Sequence, residues 1–192
     1  MKTKKMRYVW FLVILCIFCL TLFLARTRSK VEMRNRIYHQ WNEHFVVSKG
    51  KESYVRTTND SNQTVVLSEA QSYGMLITVA AAEKGQAQQA DFDRLYHYYL
   101  NHRLEGTQLM SWKQTISNGK AKDEDHNATD GDLYIAYALL KAAQKWPKQA
   151  KDYQAQAKAI LEDILAHNYN EETGVLTVGN WANQDSEFYH LM

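Results

Sequence analysis

Ala128-Thr129-Asp130-Gly131-Asp132, running directly into Leu133-Tyr134-Ile135-Ala136-Tyr137-Ala138-Leu139-Leu140-Lys141-Ala142, decides the reading of this chain. The stretch sets two carboxylates at the start of a helix that is apolar on nearly every side. Thr129 is expected to cap that helix, with Asp132 as the acidic member of a capping box. An ordinary capping sequence carries one acid in the first turn and then shows a polar face. This helix has almost none. Two acids two positions apart, fixed at the end of a buried helix, point to a site that manages protons or charge.

Around this stretch the chain reads as helices over 31–46, 68–84, 89–103, 130–146 and 149–167, with Pro147 separating the last two. Strand signals are few. Thr64-Val65-Val66-Leu67 is short, and Gly174-Val175-Leu176-Thr177-Val178-Gly179 reads as a strand or half a hairpin. The class is mostly α. Segments 68–84 and 130–146 leave little polar surface. In 89–103, Phe92, Leu95, Tyr96, Tyr99 and Leu100 form a single stripe, as do Tyr153, Ala157, Ile160, Leu161 and Ile164 in 149–167. Buried and half-exposed helices therefore alternate, which is the expectation for an α/α toroid. In such a toroid alternate helices run the same way, so their N-termini gather at one end. Ser68-Glu69-Ala70-Gln71 reads as a second capping box, with Glu69 placed as Asp130 is. Glu69 and Asp130 are thus expected to face one another across the mouth of one cleft.

The N-terminus is of a different character. Residues 8–25 form an apolar run broken only by Thr21, with Lys2, Lys4, Lys5 and Arg7 before it and Arg26 and Arg28 after it. At about 1.5 Å per residue this is just long enough to cross a bilayer. Phe23-Leu24-Ala25 lacks the small residues of a cleavage site, so an uncleaved single-pass anchor in the cell membrane is expected. Bulky residues before Cys16 and Cys19 argue against lipoprotein processing. No other cysteine exists, so the remainder can form no disulfide. Basic residues on both sides leave the orientation open on charge alone. The body is placed outside the cell, where a short N-terminal anchor usually delivers a soluble domain.

Charge is unevenly spread. Nine of the 23 basic residues lie at or before Arg36 against one acid, Glu32, which leaves 14 basic and 20 acidic residues in the remainder. An acidic body without a basic stripe is a poor nucleic-acid binder, and no nucleic-acid partner is expected. A neutral polysaccharide is compatible with it. The basic tail fits an anionic membrane surface.

Three segments together resemble glycoside hydrolase family 8. Ala128-Thr129-Asp130-Gly131-Asp132 with Ile135-Ala136, Ala138, Leu139-Leu140, Ala142 and Trp146 looks like that family's signature. Ser68-Glu69-Ala70-Gln71-Ser72-Tyr73-Gly74-Met75 resembles its acid-bearing segment, with Ala70 where the family usually has glycine. Leu109-Met110-Ser111-Trp112-Lys113 matches an intervening motif. The resemblance implies an (α/α)6 barrel and an inverting glycosidase acting on a β-linked polysaccharide, with no cofactor and no metal. Glu69 would be the general acid. Asp130 would bind and distort the sugar at the scissile position. Tyr73, Trp112, Asp132 and Tyr134 are the expected substrate-binding residues, the aromatic ones by stacking on sugar rings. Trp181 has its loop context alone in favour, and Tyr137 and Trp146 are expected in the core.

An inverting reaction also needs a base that activates water, its carboxyl roughly 6.5–9.5 Å from the acid. No position here matches the family's base. A twelve-helix barrel needs on the order of 250–300 residues. The chain is therefore expected to be a truncated, N-terminal part of the barrel, with the base beyond residue 192. The expected organisation is a basic N-terminus and anchor over 1–28, a juxtamembrane helix and linker over 29–60, and the partial catalytic domain over 61–192. The alternative is a non-catalytic or vestigial glycan-binding membrane protein.

Other signals are weaker. A helix N-terminus stabilises a carboxylate by roughly 0.3–1 kcal/mol, so a general acid at Glu69 needs burial or a like charge to offset it. Asp123, Asp125 and Asn127 have the spacing of a calcium loop, but Ala128 and Tyr134 occupy the positions that need glycine and glutamate. His97 and His102 lack a third zinc ligand nearby. Asn59, Asn62 and Asn127 begin glycosylation sequons, the last inside the proposed active motif.

Overall fold

A computed structural model describes residues 2–57 and 63–182, so the sequons at Asn59 and Asn62 and the end of the chain lie outside the described residues. The chain is mostly helical and divides into two compact units, Met1–Asn42 and Glu43–Met192.

Helix α1 runs unbroken over Lys2–Phe45. The expected junction between residues 28 and 29 falls inside it, because nothing from Thr27 to Asn42 breaks a helix: there is neither Pro nor Gly. Its apolar stretch is long and apolar enough to cross a membrane, with a mean hydropathy of 2.7 over its best window. A signal sequence near an N-terminus has the same character.

The second unit begins upstream of the expected boundary at residue 61. Strands β1 (Val46–Lys49) and β2 (Glu52–Val55) form a hairpin. Strand β3 (Thr64–Leu67) runs straight into helix α2 (Ser68–Glu83), which is followed by α3 (Gln89–Asn101). Strands β4 (Lys113–Ser117) and β5 (Lys120–Asp123) complete an antiparallel sheet in the order β3-β4-β5. Helix α4 (Thr129–Lys145), a single turn over Pro147–Gln149 and helix α5 (Ala150–His167) follow. Strands β6 (Tyr169–Asn170) and β7 (Val175–Leu176) pair as a short hairpin, so the 174–179 signal was half of one.

The core explains the helix order. Helix α2 packs on α4, and α4 on α5, while α3 packs on α2 and β2. Met75, Phe92, Leu95, Tyr99, Ile135, Leu139, Ile160 and Ile164 are at most 2% exposed. Burying each contributes about 1.5–3 kcal/mol. Trp146 joins this core against Phe92, ring centroids 5.3 Å apart. Tyr137, expected beside it, is 48% exposed instead. It shares an open apolar face with Leu140 on α4 and Ile77 on α2, so these helices are buried on only part of their circumference.

Both expected capping boxes are absent. The N-cap of α2 is Leu67 and that of α4 is Ala128, neither with a side-chain cap. Gln71 is fully buried and turns away from its own helix end. Its amide accepts from Val55 N–H (2.9 Å) and donates to Ser53 O (3.0 Å) and Leu95 O (2.9 Å), tying α2 to β2 and α3.

Candidate active site

Helices α2 and α4 touch at their first turns, and Gly131 permits it. A Cβ built on Gly131 would lie 2.3 Å from Ser68 Oγ, 2.9 Å from Ser68 Cβ and 3.1 Å from Glu69 N. Each helix therefore brings an acid to the contact, Glu69 beside Ser68 and Asp130 beside Gly131. Glu69 is exposed and Asp130 half-buried, with Asp130 Oδ1 accepting the Gly131 N–H at 2.7 Å. One turn further along, Tyr73 and Tyr134 meet with ring centroids 5.0 Å apart. Desolvation, Tyr134, Glu69 and Asp130 together raise the Tyr73 phenol above its usual pKa.

Two backbone bonds join the helix starts to neighbouring loops. Ser68 N–H donates to Trp112 O (3.0 Å), and Thr129 N–H donates to Val178 O (3.0 Å). Trp112 N–H in turn donates to His126 O (2.8 Å). These loops enclose a largely apolar cavity of about 460 Å³ lined by Trp112, His126, Asn127, Ala128, Val178 and Trp181. Its two indoles are 38% and 46% exposed. Gly179 lets Trp181 fold back, since a Cβ there would lie 2.5 Å from Asn127 O and 2.7 Å from Trp181 Nε1. Trp181 has only its loop context in sequence, because its place on the same cavity as Trp112 depends on a chain separation that no local pattern records.

Asp132 takes a different place from the one expected. It is fully buried. Its Oδ1 accepts Met110 N–H and its Oδ2 accepts Asn127 Nδ2–H, each at 2.8 Å. Burial pushes its carboxyl up to about 7, the two hydrogen bonds oppose the shift, and Asp130 and Asp163 add to it. Asn127 is equally buried, so a glycan cannot attach there.

The metal-like spacings are spent on other contacts. His102 Nδ1 lies 2.7 Å from Asp123 Oδ1, and His97 Nδ1 faces Lys51 O at 3.4 Å. Asp125 is open to solvent beside His126. Among the described residues no three metal-binding side chains gather.

The glycosyl hydrolases family 8 profile matches residues 12–190. A β-glucanase from Niallia circulans is 34% identical over 151 residues, covering 78% of this chain and 36% of the relative. Endoglucanase C from Ruminiclostridium cellulolyticum is 32% identical, covering 74% and 30%. Among solved structures, the apo β-1,3-1,4-glucanase from Paenibacillus sp. X4 superposes with a TM-score of 0.68 at 30% identity, covering 84% of this chain and 42% of that one. The chain therefore spans well under half the length of these relatives.

Proposed function

The chain belongs to glycosyl hydrolases family 8, and on that premise we propose that it serves in cleaving a β-linked polysaccharide by acid/base catalysis with inversion. The observation that carries the reading is the contact of two acid-bearing helix starts beside a cavity walled by two indoles. Glu69 is the general acid that protonates the departing glycosidic oxygen. Asp130, Tyr73 and Tyr134 hold the sugar at the scissile position, and Trp112 and Trp181 stack on neighbouring rings. The β-glucanase and endoglucanase names of the relatives favour a β-glucan over other polymers. No residue of this chain is assigned to the base that activates water.

In this reading α2 and α4 are successive inner helices of an (α/α)6 toroid, with α3 outside them. Helix α1 is an uncleaved anchor through residues 8–25 that displays the body on the outer face of the cell membrane. Asp132 is a structural support of the cleft and not a sugar contact.

The test is Glu69→Gln, which keeps the shape and removes the acid. General acid catalysis contributes on the order of 10²–10⁴-fold. In the full-length enzyme, reducing-end release from β-glucan should fall by that much, while retention on a β-glucan affinity gel stays at the wild-type level. Equal turnover in the two proteins sinks the assignment. A wild-type chain that is retained on the gel but releases no product identifies a glycan-binding protein, the second reading that the indole-walled cavity supports.

A further inference from the structure

Four fully buried polar side chains, Asn127, Thr129, Asp132 and Asn168, lie together behind the cleft. Asp132 binds Met110 N–H through one oxygen and Asn127 Nδ2–H through the other. Asn168 Nδ2 donates to Thr129 Oγ1 at 2.7 Å and to Asn127 Oδ1 at 3.2 Å. Asn127 and Asn180 clasp each other twice: Asn180 N–H donates to Asn127 Oδ1 (2.8 Å), and Asn127 N–H donates to Asn180 Oδ1 (3.2 Å). The partners are placed with a pattern. Met110 stands two residues before Trp112, Asn180 adjoins Trp181, and Thr129 adjoins Asp130.

We propose that Asp132, acting through Asn127, is a positioning residue that fixes both indole walls of the cavity against Asp130. The inference rests on the glycan-cleft reading for its consequence, not for its geometry. A buried carboxylate is costly unless both oxygens are satisfied, and packing alone would be served by an apolar side chain. An ionised carboxylate supplies two acceptors and no donor. It can hold two donors from different segments at once, one from the Trp112 loop and one from Asn127. An amide of the same shape cannot, because its NH2 must face one of those donors.

The order of events along the network follows from covalent distance. Losing the Asn127 bond frees the side chain that anchors Asn180, and with it Trp181. Losing the Met110 bond loosens the segment that carries Trp112, which then rests on its backbone bonds to Ser68, His126 and His102. Either loss widens the cavity without touching a sugar-binding atom. The effect on a ligand should therefore be indirect and should return when the bond is rebuilt with reversed polarity.

That reversal is available. In the double variant Asn127→Asp with Asp132→Asn, residue 132 offers its carbonyl to Met110 N–H and its NH2 to the carboxylate now at 127. That carboxylate still accepts from Asn180 N–H and Asn168 Nδ2, and gives up only the long 3.4 Å bond from Asn127 Nδ2 to Asn168 Oδ1. The experiment compares wild type, Asp132→Asn, the double swap and Gln71→Leu, at pH 8 in detergent. Gln71→Leu weakens the fold at the contact of α2 with β2 and α3, outside the Asp132 network, and controls for stability. Two readouts are taken: titration with cellotetraose and a mixed-linkage β-glucan tetrasaccharide, and acrylamide quenching of tryptophan emission.

Asp132→Asn should bind the tetrasaccharides at least tenfold more weakly and be quenched more strongly. The double swap should recover most of both, and Gln71→Leu should stay within twofold of wild type on both. Wild-type behaviour of Asp132→Asn, or a double swap no better than the single change, overturns the proposal. If wild type binds neither sugar, the glycan reading fails on its own. The quenching series then decides the positioning role, with the same ranking supporting it and a flat series refuting it.

Discussion

Replacing Gly131 by alanine forces apart the two helix starts that carry Glu69 and Asp130. The new Cβ would stand 2.3 Å from Ser68 Oγ, 2.9 Å from Ser68 Cβ and 3.1 Å from Glu69 N. Ser68 Oγ can rotate away, and it leaves no hydrogen bond behind because it has no partner. The other two atoms cannot. Carbon atoms rest at about 3.5–4.0 Å, so the helices must separate by roughly 0.6 Å or more at this end. Overpacking of this kind costs about 1–3 kcal/mol. Alanine returns something less than about 1 kcal/mol through its better helix propensity, the less so in a first turn. The net loss is about 1–2 kcal/mol. With a urea slope of about 2 kcal/mol/M, the unfolding midpoint should fall by roughly 0.5–1 M.

A partner change isolates the cause. Ser68→Gly deletes both Oγ and Cβ and with them the two shortest approaches, leaving the 3.1 Å approach to Glu69 N as the tightest. The double variant Gly131→Ala with Ser68→Gly should therefore be more stable than the sum of the single changes predicts, by about 1 kcal/mol in a double-mutant cycle. A Gly131→Ala chain as stable as wild type, or a coupling within about 0.3 kcal/mol of zero, would refute the claim that α2 and α4 touch here.

Gln71→Leu orphans Val55 N–H and withdraws a donor from Ser53 O and Leu95 O. At about 1–3 kcal/mol for each buried group left unpaired, a loss of about 3 kcal/mol is expected, together with faster amide exchange at Val55. An unchanged urea midpoint would show that Gln71 is not the tie between α2 and β2. Asp132 should impose a pH dependence of known sign. Its carboxyl is raised from 3.8 to about 7 by burial, with Asp130 and Asp163 adding, so between about pH 4 and 7 the folded chain binds a proton that the unfolded chain has released. Stability therefore falls as pH rises through that window and levels off above it, by roughly 3 kcal/mol from pH 5 to pH 8. Asp132→Asn should lack this component; a wild-type loss no larger than the variant's would contradict the burial argument.

The helices were legible because their apolar residues recur at helical spacing, and Glu69 and Asp130 were legible because each opens one of them. The strands were less so. Lys113-Gln114-Thr115-Ile116-Ser117 and Lys120-Ala121-Lys122-Asp123 are largely polar, the second exposed throughout and the first burying the polar Gln114, so no apolar alternation marks them. Their signal was the turn. Asn118 and Gly119 take φ values of 52° and 74°, the backbone of a two-residue hairpin for which Asn-Gly is the favoured pair. Asp132 was misplaced for another reason. Its partners Met110 and Asn127 belong to segments that only the folded chain brings together, and from sequence a first-turn acid reads as a cap or a ligand contact.

The failed capping boxes have a common physical cause, and it bears on the site. A helix start leaves backbone N–H groups in need of acceptors, which Ser or Thr side chains ordinarily supply. Here Trp112 O takes the Ser68 N–H and Val178 O takes the Thr129 N–H. The side chains are thereby released: Ser68 Oγ is left unpaired, and Thr129 Oγ1 accepts from Asn168. The bonding partners are not arbitrary loops. Trp112 and Val178 both line the cavity, and each is bonded to the helix start that carries one of the two acids. Capping by backbone carbonyls of the cavity loops makes helix termination and cavity geometry one structural event. A shift of either loop would expose an N–H at a helix start, so the cavity walls and the two helix starts are coupled.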